Sequence, residues 1–169
     1  TPYGKDDLEM AIENECEIIF LPKVENASDI TNIEGYLGKR EVWLAPIIES
    51  ARGILNAPEI ATASERIALL CFGAEDFTKD IGAERTREGK ELFLARQMIV
   101  LAAKSAGIQA SDTVFSDIND LDGLINETKL AKSLGFDGKG VIHPSQIKPI
   151  HEVFAPTEEE IDYAKKVLD

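Results

Sequence analysis

The sequence predicts an α/β fold built on a parallel sheet, and three observations predict it. Five apolar segments, residues 17–23, 42–49, 67–76, 112–119 and 138–144, read as strands. Their apolar runs are continuous rather than alternating, so both faces of each are expected to be buried, as in parallel sheets. The strands begin about 25 to 45 residues apart, with helical patterns between them, as βα units require.

Each element follows from its residues. Leu8, Ala11 and Ile12 give residues 7–15 helical spacing before the first strand, EIIFLPK. Asn26 is a helix N-cap with Asp29 in the first turn, and that helix runs toward Gly38. The strand VWLAPIIE leads into a helix over residues 53–63. The strand IALLCFGAED leads into an irregular, glycine-containing stretch over residues 77–89. Leu92, Ala95, Ile99 and Ala102 share one face of a long helix ending near Gly107. DTVFSDIN is the fourth strand, residues 121–134 the next helix, and GKGVIHP the fifth strand. A short helix over residues 145–153 follows, and Thr157 and Glu160 form a capping box opening the last one.

Five βα units do not close an eight-stranded barrel, which normally needs roughly 250 residues. Two architectures fit: a small open five-stranded sheet, or the back part of a longer barrel. The opening helix without a strand before it, and Thr1 in place of Met, favour the second. The 169 residues form a single domain in either case.

Composition narrows the function. A net charge of −13 repels phosphate backbones, which argues against nucleic-acid partners. Cys16 and Cys71 are far apart in apolar surroundings and read as reduced core residues of a cytoplasmic protein. Zinc-ligand spacing, a signal peptide and an apolar run near 18 residues are all absent, so no membrane partner is expected.

Two acids carry the chemistry. Glu49 closes the second apolar run and Asp76 the third. Both are expected at the carboxyl ends of neighbouring parallel strands, where α/β enzymes place their active sites. Strands roughly 4.8 Å apart let two such acids share one Mg²⁺, which takes oxygen ligands at about 2.1 Å and keeps several waters. Alternation along the strand turns the neighbouring Glu75 away from the site.

The chain resembles the citrate lyase beta subunit family, within the metal-dependent, CoA-ester-cleaving aldolase-type barrels. The similarity rests on FLPKVEN (20–26), PIIESARGILNAPEIA (46–61), FGAEDFTKDIGAERT (72–86), the run 112–147 and FAPTEEEIDYAKKVL (154–168). TPYGKDDL (1–8) is similar to the family segment that follows the third barrel strand. The resemblance implies strands four to eight of a TIM (β/α)8 barrel. The first three strands, and the family's C-terminal lid with its catalytic aspartate, would then lie outside this chain.

It also implies a Mg²⁺-dependent carbon–carbon lyase that cleaves citryl-CoA to acetyl-CoA and oxaloacetate, with Glu49 and Asp76 as catalytic metal ligands. Lys23, Arg52 and His143 are the implied substrate or CoA contacts. CoA enters as part of the thioester substrate. The implied partners are further copies of the chain and other citrate lyase subunits. Two other readings stand beside this one: a malyl-CoA or methylmalyl-CoA lyase or thioesterase, and a non-catalytic truncated assembly module.

The same residues have plainer roles to set against these. Lys23, at a strand end, suits an anion or an enolate oxygen, and the nearby acids would keep it charged rather than ready to form a Schiff base. Arg52 either grips a carboxylate or phosphate bidentately or caps the next helix. His143 precedes a proline just past the fifth strand, where a hydrogen-bonded structural role competes with catalysis. Asp117 is read as structural, Asp120 as an N-cap and His151 as a surface residue. Gly73, Gly138 and Gly140 allow close backbone approach. Arg85, Arg87 and Lys90 form a basic cluster that is either a solvated face or a phosphate or subunit contact.

Overall fold

A computed structural model of the chain describes residues 4–168. The expectations placed on Thr1, and on the start of the 1–8 segment, lie outside those residues. The element order is α1 (Gly4–Glu13), β1 (Ile18–Leu21), α2 (Ala27–Leu37), β2 (Trp43–Ile48), α3 (Ala51–Leu55), α4 (Ala57–Ala61) and β3 (Leu69–Phe72). It continues with α5 (Ala74–Asp80), α6 (Phe93–Ser105), β4 (Gln109–Asp112), α7 (Leu121–Leu134), β5 (Gly138–Lys139), α8 (Ile147–Phe154) and α9 (Glu158–Leu168).

The strands form one sheet in sequential order, β1-β2-β3-β4-β5, with every pairing parallel. All five carboxyl ends therefore face one edge. Leu21 pairs with Pro46, Ile48 with Phe72, Leu70 with Ala110 and Asp112 with Lys139. Pro46 has no N–H to give. The β2–β3 ladder accommodates this with a bridge at Leu44 and Ile67, resuming at Ile47.

Local signals explain the ends. Asp29 Oδ2 accepts from the backbone N–H groups of Glu25 and Asn26 at 2.9 and 3.0 Å, closing the start of α2. Its end is Gly38, at φ +58°, a conformation that favours glycine. The helix expected over residues 53–63 is two helices. Pro58 sits in the first turn of α4 and cannot donate to a helix continuing from α3. Asn56, at the break, instead donates through Nδ2 to Glu25 O at 2.8 Å.

The core lies between the sheet and the helices packed on it. Leu37, Leu44, Ile48, Ile60, Leu70, Leu92 and Ile99 are fully buried, each contributing roughly 1.5–3 kcal/mol. The expectation of burial on both faces fails at β1. Phe20 is 54% exposed, and so, at 53%, is Trp43 on β2, which pairs with Ile18. Cys16 is exposed rather than in the core, because α1 ends at Glu13 before reaching it. Among the described residues, no helix is long and apolar enough to cross a membrane.

Candidate active site

The carboxyl edge of the sheet brings three predicted residues together. Glu49 follows β2 directly, as expected. Asp76 does not end its strand: β3 stops at Phe72, and Asp76 occupies the first turn of α5. Helix geometry rather than strand alternation therefore sets the direction of Glu75. It borders the cleft beside Asp76, accepts from Ser116 Oγ at 3.2 Å and lies 3.5 Å from Arg85 Nε.

Lys23 links the two acids. It lies just past β1 in the left-handed conformation, at φ +55°, which is uncommon for any residue but glycine. That turn lets both ends of the residue act. Its backbone N–H donates to Glu49 Oε1 at 2.9 Å, and its Nζ donates to Asp76 Oδ2 at 2.7 Å.

Electrostatics distinguish the acids. Burial raises the Glu49 carboxyl above the usual glutamate range, and the Asp76 charge adds to that, while the Lys23 N–H opposes it. Asp76 is lowered, first by the Lys23 hydrogen bond and then by the ammonium charge. Negative charge thus concentrates at a point where Lys23 is the bonded cation.

Two clefts meet at the pair. One, of about 380 Å³, is lined by Lys23, Glu25, Glu49, Ser50, Asp76, Lys79 and Asp80. The other, of about 290 Å³, reaches Glu49 and Asp76 from the concave side past Phe20, Cys71 and Gly140. Burial pushes the Cys71 thiol up to about 12, so it is not a nucleophile there. A larger groove of about 660 Å³ lies between α7, α8 and the start of α9. Its acids, Glu152 and Glu160, lie on α8 and α9 away from the strand ends, and its Lys132 is engaged by the carbonyls of Val153 and Ala155.

The donor set suits a hard divalent cation. Among the described residues, no three His, Cys, Asp or Glu side chains converge. Two carboxylates are what Mg²⁺ commonly takes from protein, with waters and substrate completing its shell. Space for Glu49 is secured by Gly73, where a Cβ would fall 2.6 Å from Glu49 Oε2.

Other candidates lie further off. Arg52, exposed in α3, is 3.9 Å from Glu25 Oε2 and lines neither cleft. His143 is exposed beyond β5, where Nδ1 lies 2.8 Å from Ser145 Oγ and accepts from the Ser145 N–H. Asp117 lies in irregular chain, because β4 is Gln109–Asp112 rather than residues 112–119. Its Oδ1 accepts from the Asn119 N–H. Asp120 caps α7 as expected, accepting from Gly123 N at 2.9 Å. A Cβ on Gly140 would meet Val114, whereas Gly138 has open space.

Sequence reasoning missed the buried ion network behind the site. Arg96 donates to both Asp112 oxygens at 2.8 and 2.9 Å. Lys139 Nζ donates to Asp112 Oδ2, Glu127 Oε1 and the Thr113 carbonyl, at 3.0, 2.6 and 2.7 Å. Arg85 joins Glu127 at 3.0 Å, so it is no solvated surface residue. Arg87 pairs with Asp120 at 2.7 Å and Lys90 is exposed. Helix spacing that puts Arg96 next to core Ala95 and near Ile99 was the available signal.

Comparison with known proteins supplies the remaining findings. A family model described as HpcH/HpaI aldolase/citrate lyase matches residues 1–144. Citrate lyase subunit beta of Escherichia coli is 42% identical over 99% of this chain and 58% of its own length. The chain spans 58–60% of the length of the curated citrate lyase beta subunits it matches. Mycobacterium tuberculosis CitE, solved with magnesium, acetoacetate and coenzyme A, superposes with a TM-score of 0.85 at 32% identity, covering 99% of this chain and 62% of that one. The citrate lyase beta subunit from M. tuberculosis, complexed with oxaloacetate and magnesium, gives 0.81 at 33% identity, covering 92% and 69%.

Proposed function

The chain belongs to the HpcH/HpaI aldolase/citrate lyase family, and from that premise we propose that it carries the metal site of a Mg²⁺-dependent citryl-CoA lyase. The single observation behind this reading is the convergence of Glu49 and Asp76 on Lys23 at the carboxyl edge of the sheet. The magnesium, oxaloacetate and CoA bound by the M. tuberculosis relatives support it.

Glu49 and Asp76 would hold the ion. When bound, Mg²⁺ supplies Lewis-acid stabilisation of the oxygen that becomes the ketone. In the reaction, the bond breaks between the hydroxyl-bearing carbon of the citryl head and the carbon next to the thioester. A general base, which we place outside the chain, takes the hydroxyl proton; the oxygen becomes the keto group of oxaloacetate, and the electron pair of the broken bond passes to the acetyl-CoA enolate. A general acid then protonates that carbon, and we place this acid outside the chain. Lys23 holds the Asp76 carboxyl below its ordinary range and presents a positive charge to the substrate's carboxylate. Arg52 and His143 stand on the same edge of the sheet and are assigned to the CoA moiety.

We assign the five strands to positions four to eight of a TIM barrel. Exposed Phe20 and Trp43 on the concave face support this, since preceding strands would cover them. Trp43 is the only tryptophan of these 169 residues, so its fluorescence reads the question once any tryptophan elsewhere in the complete protein is replaced by phenylalanine. Emission in the complete protein should be blue-shifted from that of the 169-residue chain; identical spectra argue for a self-contained sheet. A homo-oligomer, or association with other lyase subunits, belongs to the same proposal. Helix α9, which buries none of its residues and exposes Tyr163 and Val167, supports it.

The test of function is turnover of citryl-CoA by the complete protein. Glu49→Gln and Asp76→Asn should each lower Mg²⁺-dependent cleavage by at least about 100-fold with the fold unchanged. Full turnover in both variants removes the metal pair from the mechanism.

A further inference from the structure

Asp76 reaches the site from a helix whose first residue lacks a local cap. The N-cap position of α5 is Gly73, with no side chain to accept from the first-turn N–H groups. The Ala74 N–H is buried, and a buried donor needs a partner. Its acceptor comes from another βα unit: Thr113 Oγ, 3.0 Å away and 3% exposed, on the residue that follows β4.

Thr113 is itself held. Its carbonyl accepts from Lys139 Nζ at 2.7 Å, and Lys139 is fully buried against Asp112 and Glu127. Asp112, the preceding residue, is clamped by both nitrogens that Arg96 offers it. The segment carrying Thr113 is therefore tied to the ion network through both its backbone and its neighbour. Meanwhile the Thr113 hydroxyl ends two residues before Asp76.

We propose that Thr113 is a positioning residue for the acid pair, fixing the start of α5 so that Asp76 stands opposite Glu49. The inference rests on the two-acid metal reading above. Thr113 lines the concave-side cleft, but the role assigned here acts through Asp76 and not on substrate. A β-branched residue with a hydroxyl suits the place: it fills the buried volume and supplies the acceptor. Valine keeps the shape and removes the acceptor, whereas serine keeps the acceptor.

The experiment is calorimetric titration of the complete protein with MgCl₂, comparing native, Thr113→Val, Thr113→Ser and Asp76→Asn. Thr113→Val should weaken Mg²⁺ binding by about tenfold, the scale on which groups that orient metal ligands act. Thr113→Ser should bind as the native protein does. Equal affinity in Thr113→Val and native protein overturns the inference while leaving the metal site intact, as does an equal loss in the valine and serine variants. Native protein that binds Mg²⁺ no better than Asp76→Asn overturns the two-acid reading and this inference with it. Amide exchange in the native protein gives an answer that does not depend on any variant folding. The Ala74 N–H should exchange slowly, and fast exchange contradicts the role given to Thr113.

Discussion

Gly73 and Glu49 compete for one volume: an ideal Cβ on Gly73 falls 2.6 Å from Glu49 Oε2 and 2.7 Å from Glu49 Cβ. The backbone at Gly73, with φ −107° and ψ 87°, lies outside the left-handed region that demands glycine. Space for the carboxylate, not backbone conformation, is what requires glycine here.

Gly73→Ala should therefore act on Glu49 first. Overpacking of this kind costs about 1–3 kcal/mol, and the displaced carboxylate should lower Mg²⁺ affinity by at least about tenfold. Urea unfolding and Mg²⁺ titration of the same variant separate the two effects. Unchanged affinity would mean that Glu49 can move without leaving the site.

Lys23→Met should tighten Mg²⁺ binding at pH 7, by roughly two- to fivefold. The Lys23 ammonium lies on Asp76 Oδ2 at 2.7 Å and so competes with a metal ion for that oxygen. Without it the Asp76 carboxyl rises from its lowered value toward the ordinary one of 3.8, so the group stays ionised at neutral pH. It also loses its competing cation. Weaker binding in this variant would make Lys23 a support of the metal site and not its competitor.

Acid stability should track Glu127. Burial works to raise its carboxyl, but the charges of Lys139 and Arg96 overcome this and hold it below the usual value of 4.5. A lowered folded-state value contributes stability that is complete above 4.5 and is lost as pH falls through the folded value. Glu127→Gln should thus cost about 3–5 kcal/mol at neutral pH, as removing one member of a buried ion network does. The gap from native protein should narrow as pH drops below 4.5. Urea midpoints measured across the pH range check both; a gap independent of pH would place the effect in packing instead.

Much of this fold was legible in the residues, and the exceptions have physical causes. Helix α7 spans the residues expected of it, because Asp120 caps its start and Gly135 its end. Thr157 and Glu160 open α9 by the reciprocal bonds their spacing implied. Strand β4 was misplaced because its sequence, QASD, is polar. It is polar because Asp112 serves the buried ions, while the apolar VF that follows lies outside the strand. The network spans α6, β4, α7 and β5, so nothing local to any one of them reveals it.

The site divides in the same way. Glu49 and Asp76 were readable as a pair, and Lys23 as their neighbour. The helical setting of Asp76 was not, since α5 has only seven residues and follows directly on an apolar strand. The bond from Lys23 N–H to Glu49 depends on a left-handed residue that is not glycine, a conformation that composition does not announce.

A crystal structure of the complete protein grown with MgCl₂ and oxaloacetate tests the central claim most directly. One Mg²⁺ should lie about 2.1 Å from an oxygen of Glu49 and from an oxygen of Asp76, with oxaloacetate in its shell. An ion bound by neither acid, or by only one of them with the other turned away, would contradict it.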